Sequence, residues 1–267
     1  MSVPPFRPLR TVCASRYVTP LREGGSLPAI VEADDAGLYV LKFRGAGQGP
    51  KALVAELVAG EIARALGLPV PEIVFVELDA ELARTEPDPE IQSLIRASAG
   101  LNLALDYLPG SVTFDPAIVE PDGALASSIV WFDAFVSNVD RTARNSNMLL
   151  WHRRLWLIDH GAALYFHHGW DARIVDRATA PFALVRDHVL LPFADRLEQV
   201  DAALAAMLDP DRVREIVAQV PERWLDGDSA FGTPEAQRAA YVAYFCRRLE
   251  APRAFVQEAV RARSAHV

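Results

Sequence analysis

Cysteine is almost absent from this chain. Its 267 residues include only Cys13 and Cys246, which lie far apart and have no neighbouring Cys or paired His at metal-binding spacing. A disulfide framework and a cysteine-based zinc site are therefore excluded as organising features. Two reduced thiols are typical of a cytoplasmic protein, and the cytoplasm is the location we predict.

Long apolar runs are also absent. No stretch approaches the ~20 apolar residues of a membrane span, and residues 1–8 contain no apolar core long enough for a signal peptide. We therefore expect no membrane partner. The hydrophobic fraction of 51% and the charged fraction of 23% are those of an ordinary globular chain, long enough for one large domain or two lobes.

The chain also lacks an excess of positive charge. The formal net charge is −8 and the pI is about 5.3, which argues against a nucleic-acid partner held by a general positive field. A local group of arginines remains at Arg141, Arg144, Arg153 and Arg154. These cations could receive a phosphorylated or acidic substrate, or they could offset nearby acidic residues, and the sequence leaves both explanations open.

What the chain does contain is a polar loop followed by two apolar runs. Asp140 and Asn145 lie five residues apart in the loop, and Asp159 follows the second run. In kinases one carboxylate orients the attacking hydroxyl, while an amide oxygen and a second carboxylate hold the magnesium ions that bridge the phosphates of ATP. The spacing predicts such a centre, although Asp and Asn are also common in ordinary turns.

The two apolar runs favour the kinase interpretation over a simple turn. Residues 148–151 and 155–158 flank a short polar connection, and this pattern predicts a tight β-hairpin. Such a hairpin would carry Asp159 back to the loop that contains Asp140.

Lysine is as scarce as cysteine. Of 27 Lys and Arg residues, only Lys42 and Lys51 are lysines. Lys42 lies in an alternating apolar stretch, residues 37–43, that predicts a β-strand. Most lysines simply point to water. Because this chain uses Arg for nearly every other cation, the Lys suggests that a compact ammonium is needed there to grip the α and β phosphates of ATP.

A helix is predicted over residues 53–66, where apolar residues recur at helical spacing and Gly67 supplies a stop. Its acids are Glu56 and Glu61. Either could form the ion pair that positions a phosphate-binding Lys, and Glu56 is our first choice because it lies nearer the start of the helix. Most helix glutamates are merely solvated, which is the alternative for both.

Two glycine-bearing segments could approach phosphate through their backbone amides. The first is a turn that contains Gly24, Gly25 and Ser26. The second, residues 45–49, lies between the Lys42 strand and the helix. Neither is followed by the Gly-Lys-Ser/Thr of a Walker motif, so that motif is excluded.

Together these segments resemble the HipA-like kinases. The resemblance rests on residues 138–145, on the Asp159-His160-Gly161 triplet, on the Lys42 strand and on the Glu56 helix with its ending at 66–71. It covers roughly residues 16–190. A weaker likeness extends to the phosphatidylinositol 3/4-kinases, whose catalytic segment also reads Asp-Arg, then Asn, then Ile-Asp-x-Gly.

The resemblance implies a role for each of these residues. Asp140 is expected to be the catalytic base, and Asn145 and Asp159 are expected to be the magnesium ligands. Lys42 would contact the α and β phosphates, and Glu56 would position it. ATP and Mg²⁺ are the implied cofactors.

The resemblance also implies a hinge along which adenine lies, near Asp106, Tyr107 and Leu108. HipA toxins have an additional N-terminal subdomain that contacts an antitoxin, whereas the kinase-like core starts almost at once here. We therefore do not expect an antitoxin partner. Ser26 is not in clear register with the regulatory serine of the family, so autophosphorylation is not carried over.

The implied fold class is α+β, a bilobal protein kinase-like fold. We expect a small β-rich N-lobe over residues 1–108 and a mainly helical C-lobe over residues 109–267, with an acidic insertion at 80–99 whose prolines and acids open a short helix. The leading function is an ATP- and magnesium-dependent kinase acting on a protein Ser/Thr or a small-molecule hydroxyl. A nucleotide-binding pseudokinase and a non-catalytic interaction domain remain alternatives.

Overall fold

The N-terminal part of the chain forms a closed five-stranded β-barrel. The computed structural model describes residues 7–21, 27–47, 49–171, 173–226 and 230–265. The barrel strands are β1 Thr11–Pro20, β2 Ala29–Ala33, β3 Leu38–Lys42, β4 Ile73–Leu78 and β5 Gly100–Asp106. Their spatial order is β1-β2-β3-β5-β4, and β1 closes the barrel by pairing in parallel with β4. The strand predicted around Lys42 is thus confirmed as β3.

Helix α1, Pro50–Ala65, follows β3 directly and packs its buried face toward the rest of the molecule. Proline stands at its first position, where the missing N–H costs nothing, and Gly67 ends it with φ of 72°. The helix predicted over 53–66 is confirmed and begins three residues earlier.

The acidic segment between β4 and β5 also folds. A 3₁₀ turn, Ala80–Thr85, precedes helix α2, Pro89–Ala97, whose N-terminus is capped by the Asp88 side chain. Ile91 and Ile95 of this helix are buried against the barrel interior. The predicted short helix is therefore present, and it contributes to the barrel core.

The C-terminal part is mainly helical. It contains α3 Gly123–Phe135, α4 Leu197–Ala206, α5 Pro210–Ala218, α6 Pro234–Leu249 and α7 Ala254–Ser264. Its small sheet comprises β6 Val112–Thr113, β7 Met148–Trp151 and β8 Arg154–Leu157. In the described part of the chain, no helix is both long and apolar enough to cross a bilayer.

The predicted hairpin is confirmed as β7 and β8. Met148 pairs with Leu157 and Trp151 with Arg154, so the connection is the two-residue turn His152-Arg153. Both turn residues have positive φ, 48° and 61°, as the favoured hairpin turns require. The hairpin fixes where the chain resumes after β8, and this determines the position of Asp159.

One large hydrophobic core joins α1 to the C-terminal helices, and a smaller one fills the barrel. Helix α1 is the main link, because its side chains pack both under the barrel and against α5. The polar residues singled out in the sequence lie along the junction between barrel and helices.

Candidate active site

Three distant parts of the chain meet at the end of β3. The Lys42 ammonium lies 2.7 Å from Asp159 Oδ1 and 3.8 Å from Glu56 Oε2. Lys42 and Glu56 are largely buried, whereas the Asp159 side chain is 42% exposed. The ammonium thus bridges one enclosed carboxylate and one that faces the cleft.

Neighbouring charges of opposite sign keep both Lys42 and Glu56 ionised. Burial alone would lower the pKa of Lys42, but Glu56, Asp159 and Asp140 outweigh it and raise the pKa. Burial would likewise raise the pKa of Glu56, yet Lys42 and His160 lower it. A lysine cation and a glutamate anion are therefore both stable in a site that largely excludes water.

The two acids of α1 have different surroundings. Glu61 pairs with Arg64 at 2.6 Å, one turn along the same helix. Glu56 instead faces Lys42 and accepts a hydrogen bond at Oε1 from His160 Nδ1, 3.3 Å away. Its other oxygen, Oε2, has no hydrogen-bond partner among the described residues. Only Glu56 therefore lies where it could position Lys42.

The loop after α3 holds Asp140 by its carboxylate. Asn145 Nδ2 donates to Asp140 Oδ2 at 2.9 Å, and Asn147 Nδ2 donates to the same oxygen at 3.1 Å. Asn138 accepts the backbone N–H of Asp140 at 3.1 Å. Two asparagines thus hold the Asp140 carboxylate, and a third holds its backbone.

Asn147 and Asp159 both adopt left-handed backbone conformations. Asn147 has φ of 46° and Asp159 has φ of 54°. The two segments are joined by a hydrogen bond from the backbone N–H of Ile158 to the carbonyl of Asn147, at 3.0 Å. Such conformations are uncommon for residues with side chains and concentrate at functional sites. The hairpin therefore returns Asp159 beside the Asp140 loop, as its pattern predicted.

Arg141 does not belong to a surface group of arginines. Its guanidinium is buried, with Nε 2.6 Å from Asp133 Oδ2, and it also donates to the carbonyl of Asn147. Arg144, by contrast, is exposed. The basic group expected from the sequence is therefore divided, since Arg141 offsets a buried acid instead of offering a surface charge.

Asp133 lies on α3 and accepts hydrogen bonds at both oxygens. Asn138 Nδ2 donates to Oδ1 at 2.7 Å, and Oδ2 receives Arg141 and, at 2.9 Å, His188. Burial alone would raise the pKa of this carboxyl, but Arg141 and His188 lower it to about 2. An ionised carboxylate therefore lies beneath the Asp140 loop.

The expected hinge residues connect the barrel to the helical part. Asp106 is the last residue of β5 and pairs with Tyr39, and the N–H of Tyr107 donates to the carbonyl of Leu38 at 2.9 Å. The N–H of Leu108 donates to no backbone carbonyl in the described ranges. Burial, followed by the charge of Glu72, raises the pKa of the Asp106 carboxyl.

The structure describes only part of the two glycine-bearing segments named in the sequence. Gly24, Gly25 and Ser26 lie outside the described residues. In the second segment, Gly47 and Gly49 have positive φ, and Gly49 precedes α1 as its N-cap without a capping side chain. This segment leads into the helix that contains Glu56.

A family model described as HipA-like kinase matches residues 15–253. This chain belongs to the HipA-like kinase family. The resemblance stated from the sequence is confirmed, and so is the α+β, bilobal kinase-like fold class. The protein is accordingly a kinase, a phosphotransferase. No curated protein sequence matches the chain.

Solved structures similar to this kinase include the proinflammatory kinase CtkA of Helicobacter pylori. That similarity has a TM-score of 0.49 at 13% identity and covers 97% of this chain and 99% of CtkA. A Golgi casein kinase, solved with Mn and ADP bound, is similar with a TM-score of 0.45 at 10% identity, over 91% of this chain and 73% of that one.

The oxygen donors of the kinase suit a hard cation. In the described ranges no three His, Cys, Asp or Glu side chains form a ready metal site. Magnesium does not need one, because it is usually held by one or two carboxylates together with substrate phosphates and water. Asp159 is partly exposed beside Lys42, and the Asn145 amide beside Asp140 is exposed. Residues with the required donor chemistry are thus present.

Asn147 and His160 contact candidate catalytic groups but were missed in the sequence, as was Asp133 beneath the Asp140 loop. Asn147 donates to Asp140, and His160 is fully buried and hydrogen-bonded to Glu56. Asp133 was overlooked although its signal was local. A lone acid within the apolar stretch Trp131-Phe132-Asp133-Ala134-Phe135 must be buried, and a buried acid needs partners.

Proposed function

We propose that this kinase transfers the γ-phosphate of ATP, in a magnesium-dependent reaction, to the hydroxyl of a protein Ser/Thr or of a small molecule. The observation that carries the proposal is the position of Lys42 between Glu56 and Asp159, with Asp140 near enough to raise the pKa of the same ammonium. Phosphoryl transfer depends chiefly on positioning and electrostatics, which such a convergence of charges supplies.

Asp140 is the proposed catalytic base. Its Oδ2 accepts two amide hydrogen bonds, which orient the carboxylate without adding a positive charge beside it. Because amide donors leave the other oxygen available, the group can accept the proton of an attacking hydroxyl. The backbone bond to Asn138 keeps the residue from turning away.

Lys42 is proposed to bind the α and β phosphates, and Glu56 to hold it for that purpose. The Lys42–Glu56 separation of 3.8 Å is longer than the 2.7 Å to Asp159. Asp159, the nearer partner, is exposed to the cleft. Lys42 can therefore exchange its contact with Asp159 for a phosphate while Glu56 remains beside the ammonium. Glu56 would thus retain the lysine during the exchange.

Asn145 and Asp159 are proposed to hold the magnesium ions, which would offset charge on the phosphates when bound. Adenine is proposed to lie along residues 106–108, where the N–H of Leu108 is not used by the backbone of the described chain. The main chain of this segment would then recognise adenine by hydrogen bonding.

Nucleotide binding tests the proposal. A non-hydrolysable ATP analogue should bind the parent in calorimetric titration, and magnesium should increase its affinity. Asp159→Asn should remove most of the magnesium dependence. The matched control is Asp195→Asn, because Asp195 is also a partly exposed acid beside an arginine but lies in the helical part. No binding by the parent with or without magnesium would overturn the proposal.

The acceptor is tested separately. The protein should transfer label from γ-labelled ATP to a mixed peptide or metabolite pool, and Asp140→Asn should transfer it at least about a hundredfold more slowly. Acid-stable, base-labile label would identify phosphate on Ser or Thr. Transfer by Asp140→Asn at the rate of the parent would contradict the assignment of the base.

A further inference from the structure

Asp133 is the carboxylate beneath the catalytic loop, and it touches no part of the cleft. Its side chain is 1% exposed and lies two residues before the end of α3. Burying an ionised acid in an apolar helix is costly unless its charge is paired and hydrogen-bonded. Here three side-chain donors surround it, so its cost is offset by partners that all belong to later parts of the chain.

Two of these donors lead directly to Asp140. Asn138 donates to Asp133 Oδ1 with its amide nitrogen and accepts the Asp140 N–H with its amide oxygen. Arg141 follows Asp140 in sequence, binds Asp133 Oδ2 and reaches the carbonyl of Asn147. Asn147 in turn donates to the Asp140 carboxylate. Asp133 therefore fixes the loop on both sides of Asp140.

The third donor comes from a distant segment. His188 Nδ1 accepts the N–H of Leu190 at 3.0 Å, so this nitrogen carries no proton. His188 Nε2, 2.9 Å from Asp133 Oδ2, must then be the protonated nitrogen and the donor. The backbone extends the link, because Val189 donates to the carbonyl of Arg141 and Thr142 forms a β-bridge with His188.

A purely structural role is the simpler alternative for such a cluster. Buried ion pairs add little net stability, and apolar replacements of similar shape are often neutral or stabilising. The Asp133–Arg141 ion pair does fix one geometry, however. Arg141 also donates to the carbonyl of Asn147, and Asn138 also accepts the N–H of Asp140, so both residues hold the loop. The contacts are thus arranged around the orientation of Asp140.

We infer that Asp133 is a positioning residue for phosphoryl transfer, which sets the orientation of Asp140 through Asn138 and Arg141, and that neutral His188 couples this loop to the segment at 188–190. The inference rests on the proposed role of Asp140. It predicts that disturbing the cluster lowers turnover more than nucleotide affinity, because the cluster contacts the base and does not contact Lys42 or Asp159.

Asp133→Asn is the first test. It places an amide N–H against Arg141 or His188, and we expect kcat to fall about a hundredfold, the scale of a 1 Å misplacement. The dissociation constant of the magnesium-bound ATP analogue should change less than about threefold, well under the tenfold that 1.4 kcal/mol represents. Equal losses in kcat and affinity would overturn the inference.

Asp201→Asn is the matched control. Asp201 also receives an Arg Nε, from Arg253 at 2.6 Å, and the indole N–H of Trp131, on the same helix as Asp133. Its loss should lower the melting temperature without changing kcat. If Asp201→Asn lowers kcat as much as Asp133→Asn, general destabilisation explains both, and the inference fails.

Two substitutions of His188 remain informative even if Asp133→Asn does not fold. A Gln side chain can keep the donor near the position of Nε2, whereas Asn keeps only the acceptor near the position of Nδ1. His188→Gln should therefore retain kcat within a few-fold, and His188→Asn should lose about tenfold. The reverse order would contradict the coupling.

A measurement without turnover separates this inference from the proposed function. Nitrogen NMR of the parent should show His188 as the neutral Nε2–H tautomer. Hydrogen exchange of the Asp140 amide should accelerate in Asp133→Asn and not in Asp201→Asn. If these results hold while ATP does not bind, the proposed function fails and the loop network stands. If exchange is unchanged in Asp133→Asn, the network does not hold Asp140.

Discussion

The cleft contains Lys42, Glu56 and Asp159, and the cluster beneath it consists of Asp133 with Asn138, Arg141 and His188. The two groups use their carboxylates in opposite ways. In the cleft, Glu56 Oε2 has no hydrogen-bond partner in the described part of the chain, and Asp159 is 42% exposed. In the cluster, both oxygens of Asp133 accept hydrogen bonds of 2.6–2.9 Å. The carboxylates around Lys42 thus keep bonding capacity, whereas Asp133, which is proposed to hold Asp140, has used its own.

This difference has a physical cost and a use. A buried acceptor without a hydrogen bond costs about 1–3 kcal/mol, and at Glu56 Oε2 the charge of Lys42 offsets part of this cost. The ammonium of Lys42, 3.8 Å away, could approach that oxygen when Asp159 releases it. The cleft is therefore built for exchange of partners, and the cluster is built against it.

The largest expected effect comes from the residue that belongs to both regions. Asp140 is held by the cluster and is also the proposed catalytic base. Asp140→Asn should lower kcat by about 10²–10⁴-fold, the usual contribution of a general base. Nucleotide affinity, measured by calorimetry, should stay close to that of the parent. A matching fall in affinity would mean that Asp140 acts in the cleft as a ligand and not as a base.

Lys42→Arg should produce the next largest effect. The guanidinium keeps the charge but is planar and larger than the enclosed space between Glu56 and Asp159 allows. We expect kcat/KM for ATP to fall about a hundredfold, in line with misplaced phosphate contacts. Lys51→Arg, at the only other lysine, should have little effect. Steady-state kinetics at varied ATP concentration measures both variants.

Glu56→Gln and Glu61→Gln sharpen the contrast within one helix. Both acids lie on α1, but only Glu56 faces Lys42, since Glu61 pairs with Arg64. Glu56→Gln should raise KM for ATP and lower kcat/KM about tenfold, roughly 1.4 kcal/mol. Glu61→Gln should alter stability alone. Comparable kinetic losses in the two variants would show that Glu56 does not position the lysine.

Local pattern was enough to predict the parts of the fold that depend on near neighbours. The apolar period of α1 and the apolar runs of the hairpin each specify an element whose hydrogen bonds lie within a few residues. The alternation around Lys42 specifies a strand in the same local way, although its partners β2 and β5 lie farther along the chain. These elements then bring Lys42 and Asp159 together across 117 positions. The sequence also matched the family that the chain belongs to.

The partners inside the site could not be predicted in the same way. His188 lies 55 positions after Asp133, in a segment without a strong periodic pattern, and nothing near it in sequence marks its partner. The choice between Glu56 and Glu61 likewise depends on how α1 rotates against β3, which only packing determines. For Arg141 the sequence left open whether it receives a substrate or offsets an acid, because the burial that decides for the second depends on Asp133.

The smallest expected effect is on stability at low pH, and it tests the ionised state of Asp133. The folded pKa is about 2, below the ordinary value of 3.8, so ionised Asp133 stabilises the folded state above pH about 4, and this contribution is lost as pH falls toward 2. The difference in unfolding free energy between parent and Asp133→Asn should therefore shrink by about 1 kcal/mol from pH 5 to pH 3. Urea denaturation at both pH values measures it, and subtracting the variant removes the titration of the other acids as long as they are independent. A difference that stays constant would mean that Asp133 is not held ionised by Arg141 and His188, and the contrast between cleft and cluster would then rest on hydrogen-bond geometry alone.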